Sequence, residues 1–335
     1  LIYFAGKLKT DHLAVITGMP GVGKTSLVIT LIRQMGWAED KTFWYTFRGA
    51  EGIDDIVWRL TNFLAWYGND TFLRILQGSN PPPAAVLFDA LLHTIHGKDY
   101  LLCFDDFHLA DELAEQLFNK SLQTRLNRGG IDAVIISRTM PNMLRLARYE
   151  PLSGLSHMET QNLLLQHGVS LSDELTASLY ALTQGNPQLL VLAIDTLKHG
   201  GNLAKLVARI LKTINIENYI LTEVDDNITT EEREVMKATS VLMNYPGTRA
   251  AIEAIAAKGN VWKTLNGLYS RHLLLVHNEL PEQQYSQHAT VQTFYYNLLD
   301  RSELQAMHQR AGEYYAVVEK EWLKAALHFE RAEAY

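Results

Sequence analysis

Residues 18–25 read Gly-Met-Pro-Gly-Val-Gly-Lys-Thr, placing glycines at 18, 21 and 23, a lysine at 24 and a hydroxyl at 25. Glycines at this density free the backbone for angles that a Cβ resists, so successive N–H groups converge on one anion. The spacing is that of the phosphate-binding loop G-x-x-x-x-G-K-[ST]. Its lysine reaches the β- and γ-phosphates and its hydroxyl meets Mg²⁺. Gly18, Met19, Pro20, Gly21, Val22, Gly23, Lys24, Thr25 and Ser26 are therefore the candidate phosphate cradle. The ligand class is a nucleoside di- or triphosphate.

Two further groups carry chemistry for such a ligand. Tyr100 to His108 reads YLLCFDDFH, an apolar run ending in paired aspartates. In P-loop enzymes an acid ending the strand beside the loop holds the magnesium shell, which suits Asp105 as a metal ligand with Thr25. Asp106 is placed to polarise an attacking water, a role open to a carboxylate held near its target. A strand followed by an Asp-capped helix start gives the same pattern without chemistry. Arg138 ends the apolar run Ile135-Ile136-Ser137. At a strand's C-terminal tip it would face the ligand crevice and could contact a γ-phosphate, although position alone fits a surface loop arginine slightly better.

These groups need a parallel α/β framework to bring them together. His12 to Gly18 and Thr42 to Arg48 predict strands, as do Tyr100 to Phe104 and Ile131 to Ile136; Arg148 to Leu152 is a short fifth candidate. Helices are expected after Lys24, over Ile53 to Trp66, over Ala84 to His96 behind the break Asn80-Pro81-Pro82-Pro83, and over Asp111 to Asn127. From Ser156 strands give way to helices, interrupted at Gly185-Asn186-Pro187. Thr229-Thr230-Glu231-Glu232 opens another helix. Residues 229–300 predict three helices, strands at His272 to Val276 and Gln284 to Ala289, and a turn at Glu279 to Glu282: a winged-helix outline. From Ser302 the chain is helical and aromatic.

The chain has 335 residues, 47% apolar and 20% charged, with net charge −7. That length allows two or three domains. The charge argues against a generally nucleic-acid-coating surface. A single cysteine, Cys103, fits a reducing compartment and excludes an internal disulfide framework. No apolar run approaches a membrane span and no signal peptide is visible, so a cytoplasmic protein is expected. The chain opens at Leu1 and closes inside a helical pattern, which reads as a piece of something longer.

Together these residues resemble the signal-transduction ATPases with numerous domains, the STAND class, which are related to AAA+ P-loop NTPases and include the NB-ARC proteins. The resemblance spans roughly residues 12–300 and rests on GMPGVGKTS at 18–26, LLCFDD at 101–106, IISR at 135–138 and LTQGNPQLL at 182–190. It implies that Arg138 senses the γ-phosphate and that Pro187 packs on adenine, where Gly-Asn-Pro by itself reads as a helix-breaking turn. It also implies that His288, within Tyr285-Ser286-Gln287-His288-Ala289-Thr290-Val291, touches the β-phosphate of ADP. Ala289 departs from the family's usual Asp or Pro, and residues 1–11 lack the Gly-Arg-Glu segment that helps seat the base. Gly312, Tyr315, Ala325, Phe329 and Ala332 resemble the first repeat of a tetratricopeptide array; a helical pair closing the winged helix is the alternative.

The implied fold is an α/β P-loop NTPase with a parallel sheet at 1–152, then a helical lid at 153–214, a winged helix at 215–300 and a C-terminal α-hairpin at 301–335. The implied activity is a switch using ATP/ADP and Mg²⁺: closed with ADP, self-assembling with ATP, and slowly hydrolytic. Its trigger would bind repeats outside this chain; neither nucleic acid nor membrane is an expected partner. One alternative is a winged-helix DNA-binding regulator. Its reading helix at Val261 to Arg271 has only Lys263 and Arg271 as cations, and residues 229–300 carry six Lys/Arg against seven Asp/Glu. Another is a P-loop enzyme acting on a small substrate, for which nothing after residue 150 resembles a pocket.

Overall fold

The structure, a computed structural model, describes residues 1–48, 52–126, 130–141, 149–198, 221–222, 224–243, 245–277 and 282–332. It divides into two compact units, Leu1–Ser153 and Gly154–Tyr335.

The first unit is a four-stranded parallel sheet with helices. Its strands are β1 (Leu13–Thr17), β2 (Thr42–Thr46), β3 (Tyr100–Asp105) and β4 (Ile131–Ser137). Their order is β1-β4-β3-β2, with Thr17 opposite Ser137 and Thr46 opposite Asp105. β1 is buried along its whole length, as a parallel strand covered on both faces must be. The helices are α1 (Ile2–Asp11), α2 (Lys24–Met35), α3 (Ile53–Trp66), α4 (Thr71–Leu76), α5 (Ala84–Ile95), α6 (Glu112–Leu117) and α7 (Gln123–Leu126). One core packs Phe43, Leu60, Phe88 and Phe104 on one set of strand residues; a second packs Phe4, Val28 and Leu31 on Ala14, Ile16, Cys103 and Ile136.

Two expectations change here. The helix expected over Asp111 to Asn127 is broken by a π-helical turn at Phe118–Leu122. Phe118 meets Phe88, Phe104, Phe107 and Phe47 edge-on, tilted or stacked, and the extra residue in the turn lets its ring reach that cluster. No fifth strand forms over Tyr149–Leu152, while Arg148 lies outside the described residues. The Leu152 N–H donates to the Thr17 carbonyl at 2.7 Å, a hydrogen bond to the edge of β1 with no ladder beyond it.

The second unit begins with α8 (His157–Gln166), α9 (Asp173–Thr183) and α10 (Pro187–Lys198). After residues outside the description come α11 (Thr230–Val241), β5 (Gly247–Thr248), α12 (Arg249–Ala256), α13 (Trp262–Ser270), β6 (Leu275–His277) and β7 (Gln284–Ser286). Thr229 and Glu232 cap α11 reciprocally. The strands form an antiparallel sheet in the order β5-β7-β6. This is a winged helix; β5, two residues long, has no counterpart in the sequence reading, and the first strand of the hairpin is Leu275–His277 rather than His272 to Val276. Of the turn expected at 279–282, residues 279–281 lie outside the description. α14 (Ala289–Asn297), α15 (Arg301–Tyr314), a π-helical turn at Tyr315–Glu319 and α16 (Trp322–Arg331) complete the unit. Gly312 sits where α15 meets α16: a Cβ there would lie 2.7 Å from the Phe329 ring. Among the described residues no helix is long and apolar enough to cross a membrane.

Candidate functional site

The loop of residues 18–23 runs from the C-terminal end of β1 into α2, at the strand edge where open parallel sheets bind ligands. Gly18 has φ 149°, and a Cβ on it would lie 2.8 Å from the Leu152 carbonyl and 3.2 Å from Val22, which is itself buried. Gly23 precedes α2 at φ 97°, with open space where its Cβ would be. The start of α2 has no side-chain cap and no acid in its first turn. Its N–H groups and the positive end of its dipole are left for an anion.

Lys24 is buried and donates from Nζ to the carbonyls of Gly18 at 2.9 Å and Met19 at 3.0 Å. Burial lowers its pKa, Arg138 pushes the same way, and Asp106 and Asp105 oppose. The Thr25 hydroxyl donates to Asp105 Oδ2 at 3.1 Å, joining residues 80 apart in sequence. Asp105 is 7% exposed; burial, and then the neighbouring Asp106, raise its carboxyl to about 6. The Asp106 N–H donates to Asp105 Oδ1 at 2.9 Å and, with Thr25 and Lys24, works against that rise.

β3 is not the strand beside β1, contrary to the sequence reading: β4 lies between them. Thr25 spans the gap because α2 carries it across, and β4 ends in the same gap. Arg138 follows Ser137 directly and is exposed. It lines a cleft of about 550 Å³ with Gly18, Met19, Pro20, Pro151 and Leu152. Asp106 takes a left-handed conformation at φ 50°, turning the chain sharply after the strand. His108, not among the candidate residues named from the sequence, stands 3.8 Å from Asp106 Oδ1 through Nδ1. That nitrogen is buried without a hydrogen-bond partner, and burial lowers the imidazole pKa. The signal for it was its place two residues after the paired aspartates.

The residues fit a magnesium-bound nucleoside phosphate. The α2 terminus lacks an internal cap, Gly23 leaves room in front of it, and a hydroxyl and a carboxylate already meet at one point. Among the described residues no three His, Cys, Asp or Glu side chains cluster to hold a metal. Magnesium beside a nucleotide needs no such cluster, because phosphates and waters complete its shell.

Within the second unit, Asn186 Oδ1 accepts from the N–H groups of Gln188 at 3.1 Å and Leu189 at 3.3 Å, and Pro187 opens α10. Gly185 has φ 68°, and a Cβ there would lie 2.0 Å from the Leu155 carbonyl. His288 precedes α14, half-buried, with its pKa lowered by burial and by His272. The structure thus gathers residues 18–26, Asp105, Asp106 and Arg138 at one strand edge. Pro187 and His288 belong to the other unit. Of the two cations expected on a DNA-reading face, Arg271 is turned inward, its side chain 10% exposed and bonded to Asp195 at 2.9 Å.

No protein-family model matches the sequence, and no curated protein does. Among solved structures, a STAND protein with a tetratricopeptide repeat sensor from Pyrococcus horikoshii superposes with TM-score 0.74 at 20% identity, over 99% of this chain and 47% of that one. The fold is that of a STAND ATPase. The chain spans about half the length of that STAND protein. Weaker matches are a Walker-type ATPase of Pyrococcus abyssi, with TM-score 0.42 and 13% identity over 87% of this chain and 92% of that one, and Cdc6p from Pyrobaculum aerophilum, with TM-score 0.44 and 14% identity over 89% and 92%.

Proposed function

We propose that this chain is the core of an ATP/ADP-controlled signalling switch, closed with ADP, self-assembling with ATP and resetting by slow Mg²⁺-dependent hydrolysis. The observation that carries it is the uncapped start of α2, toward which Lys24, Thr25 and Asp105 converge. In this reading Lys24 leaves the loop carbonyls for the β- and γ-phosphates. Thr25 and Asp105 hold the magnesium, which when bound neutralises developing phosphate charge. Asp106 orients the attacking water and takes its proton, with His108 steadying the carboxylate. Arg138 reads the γ-phosphate, Pro187 packs on adenine and His288 meets the β-phosphate of ADP. A nucleotide shifts the balance of states only through contacts that differ between them, and Arg138 and His288 supply that difference.

The lid at 153–214, the winged helix at 215–300 and the repeat-like hairpin from 301 are the parts that move or transmit. The exposed face of α13 supports a packing role for the winged helix over groove reading, since Lys263 is the candidate cation left there once Arg271 is committed inward. A trigger bound by further repeats is the expected input, and a reducing cytoplasm the expected setting. Light scattering after size exclusion tests the switch. A monomer with ADP and a larger assembly with a non-hydrolysable ATP analogue are expected; one mass under both conditions rejects the reading.

A further inference from the structure

In the second unit, Arg271 caps the C-terminal end of α13 and Asp195 lies late in α10, 76 residues away. The guanidinium grips the carboxylate with two prongs: Nε to Oδ1 at 3.2 Å and Nη2 to Oδ2 at 2.9 Å. Asp195 is 5% exposed. The third nitrogen, Nη1, reaches the Asn227 carbonyl at 3.5 Å and lies 3.7 Å from Glu232 Oε1 at the start of α11. Around the pair, Leu189 and Leu192 of α10 share one apolar core with Val235, Leu265 and Leu268 of the winged helix.

The winged helix is held differently on its other side. Lys237 pairs with Glu303 at 2.9 Å, Arg310 Nε donates to the Ile255 carbonyl at 2.7 Å, and Thr248 meets Tyr314 and Glu319. Those ties spread over three helices, with Lys237 and Thr248 partly buried. The tie to α10 concentrates two opposite charges at a buried point.

We infer that the Arg271–Asp195 pair is the latch of the switch, fixing the register in which α10, and Pro187 at its head, closes on the winged helix. The inference rests on the switch reading above. A buried ion pair suits a joint that must open. Its Coulombic attraction is largely offset by the water both charges give up, so separating them into solvent costs little net free energy. Leaving one charge buried without the other costs far more, so half-closed or shifted arrangements are rejected.

The test compares wild type, Asp195→Asn and the apolar double variant Asp195→Leu/Arg271→Met, in the whole chain. Amide exchange reports the α10 and α13 segments, and release of a fluorescent ADP analogue reports closure over nucleotide. Asp195→Asn is expected to lower protection of both segments at least about tenfold, because the buried guanidinium then keeps only Glu232 at 3.7 Å and the Asn227 carbonyl, and to speed release at least about threefold. The double variant is expected to regain protection and slow release, because parting an apolar pair exposes apolar surface to water with no hydration of charge to offset it. Wild-type protection in Asp195→Asn overturns the latch, as does lost protection with unchanged release, or a double variant as open as the single. Should Asp195→Asn fail to fold, Asp195→Glu replaces it, keeping the charge on a longer arm, with both changes expected at smaller size. If wild type binds no analogue, the switch reading falls while the exchange comparison still decides the joint.

Discussion

The helices α2 and α10 both begin just after a glycine in the left-handed region, Gly23 at φ 97° and Gly185 at φ 68°, yet their first turns are finished in opposite ways. At α10, Asn186 fills the N–H groups of Gln188 and Leu189 with its own side chain, and Pro187 brings no N–H that would need a partner. At α2 no side chain caps the terminus, and the first residue is a lysine, against the local dipole. One helix start is closed by the chain's own side chain; the other is left open to solvent or to an anion. In the proposed switch, the difference separates a position that would act through shape, Pro187, from one that would act through charge and open donors, Lys24.

The largest expected effect sits on the open terminus. Lys24→Ala should weaken ATP and ADP binding by about a hundredfold or more, the scale of a lost charge-assisted contact in a buried site, while Pro187→Ala costs about tenfold or less. Titration calorimetry reads both, and equal losses would dissolve the distinction. Stability should invert that order. Gly185→Ala places a Cβ 2.0 Å from the Leu155 carbonyl and should cost about 3 kcal/mol or more, whereas Gly23→Ala meets open space and pays only about 1 to 2 kcal/mol for its φ. Denaturant melts of the two variants measure the difference.

Next comes the carboxylate paired with the open terminus. Asp105 titrates at about 6 in the folded chain against 3.8 ordinarily, because burial and Asp106 disfavour its charge. The folded protein therefore binds more protons than the unfolded chain between those values, and the stability of the ligand-free protein falls as pH rises through that window. Asp105→Asn should remove the penalty and stabilise the ligand-free chain by about 2 to 3 kcal/mol at pH 8, with no gain below pH 4. The same variant should lose the magnesium dependence of nucleotide binding. Melts across pH with and without Mg²⁺ check both halves. The smallest effect is Asn186→Ala, which removes a cap worth about 1 kcal/mol and should leave nucleotide affinity within about threefold of wild type. A large affinity loss there would mean that α10 also depends on its ligand.

That the loop glycines, Lys24, Thr25, the paired aspartates and Arg138 would gather at one strand edge was legible because each sits where a strand pattern ends. Helix limits were legible where apolar spacing was uninterrupted, as over Ile53–Trp66. What the residues could not say was anything decided by a distant partner. β4 lies between β1 and β3 because parallel strands need not pair in chain order, and no local signal records that order. The π-helical turn at Phe118 depends on rings from four other segments. Arg271 reads as an exposed cation at the end of a helix, and only the fold brings Asp195 to it. A two-residue strand such as β5 is too short for any periodicity to register.

The most direct measurement is to denature the purified protein and resolve the released nucleotide chromatographically against protein concentration. The proposed ADP-closed resting state, with the open α2 terminus as its phosphate site, predicts close to one ADP per chain. A protein that releases no nucleotide, and then binds neither ATP nor ADP in the presence of Mg²⁺, would contradict the account at its centre.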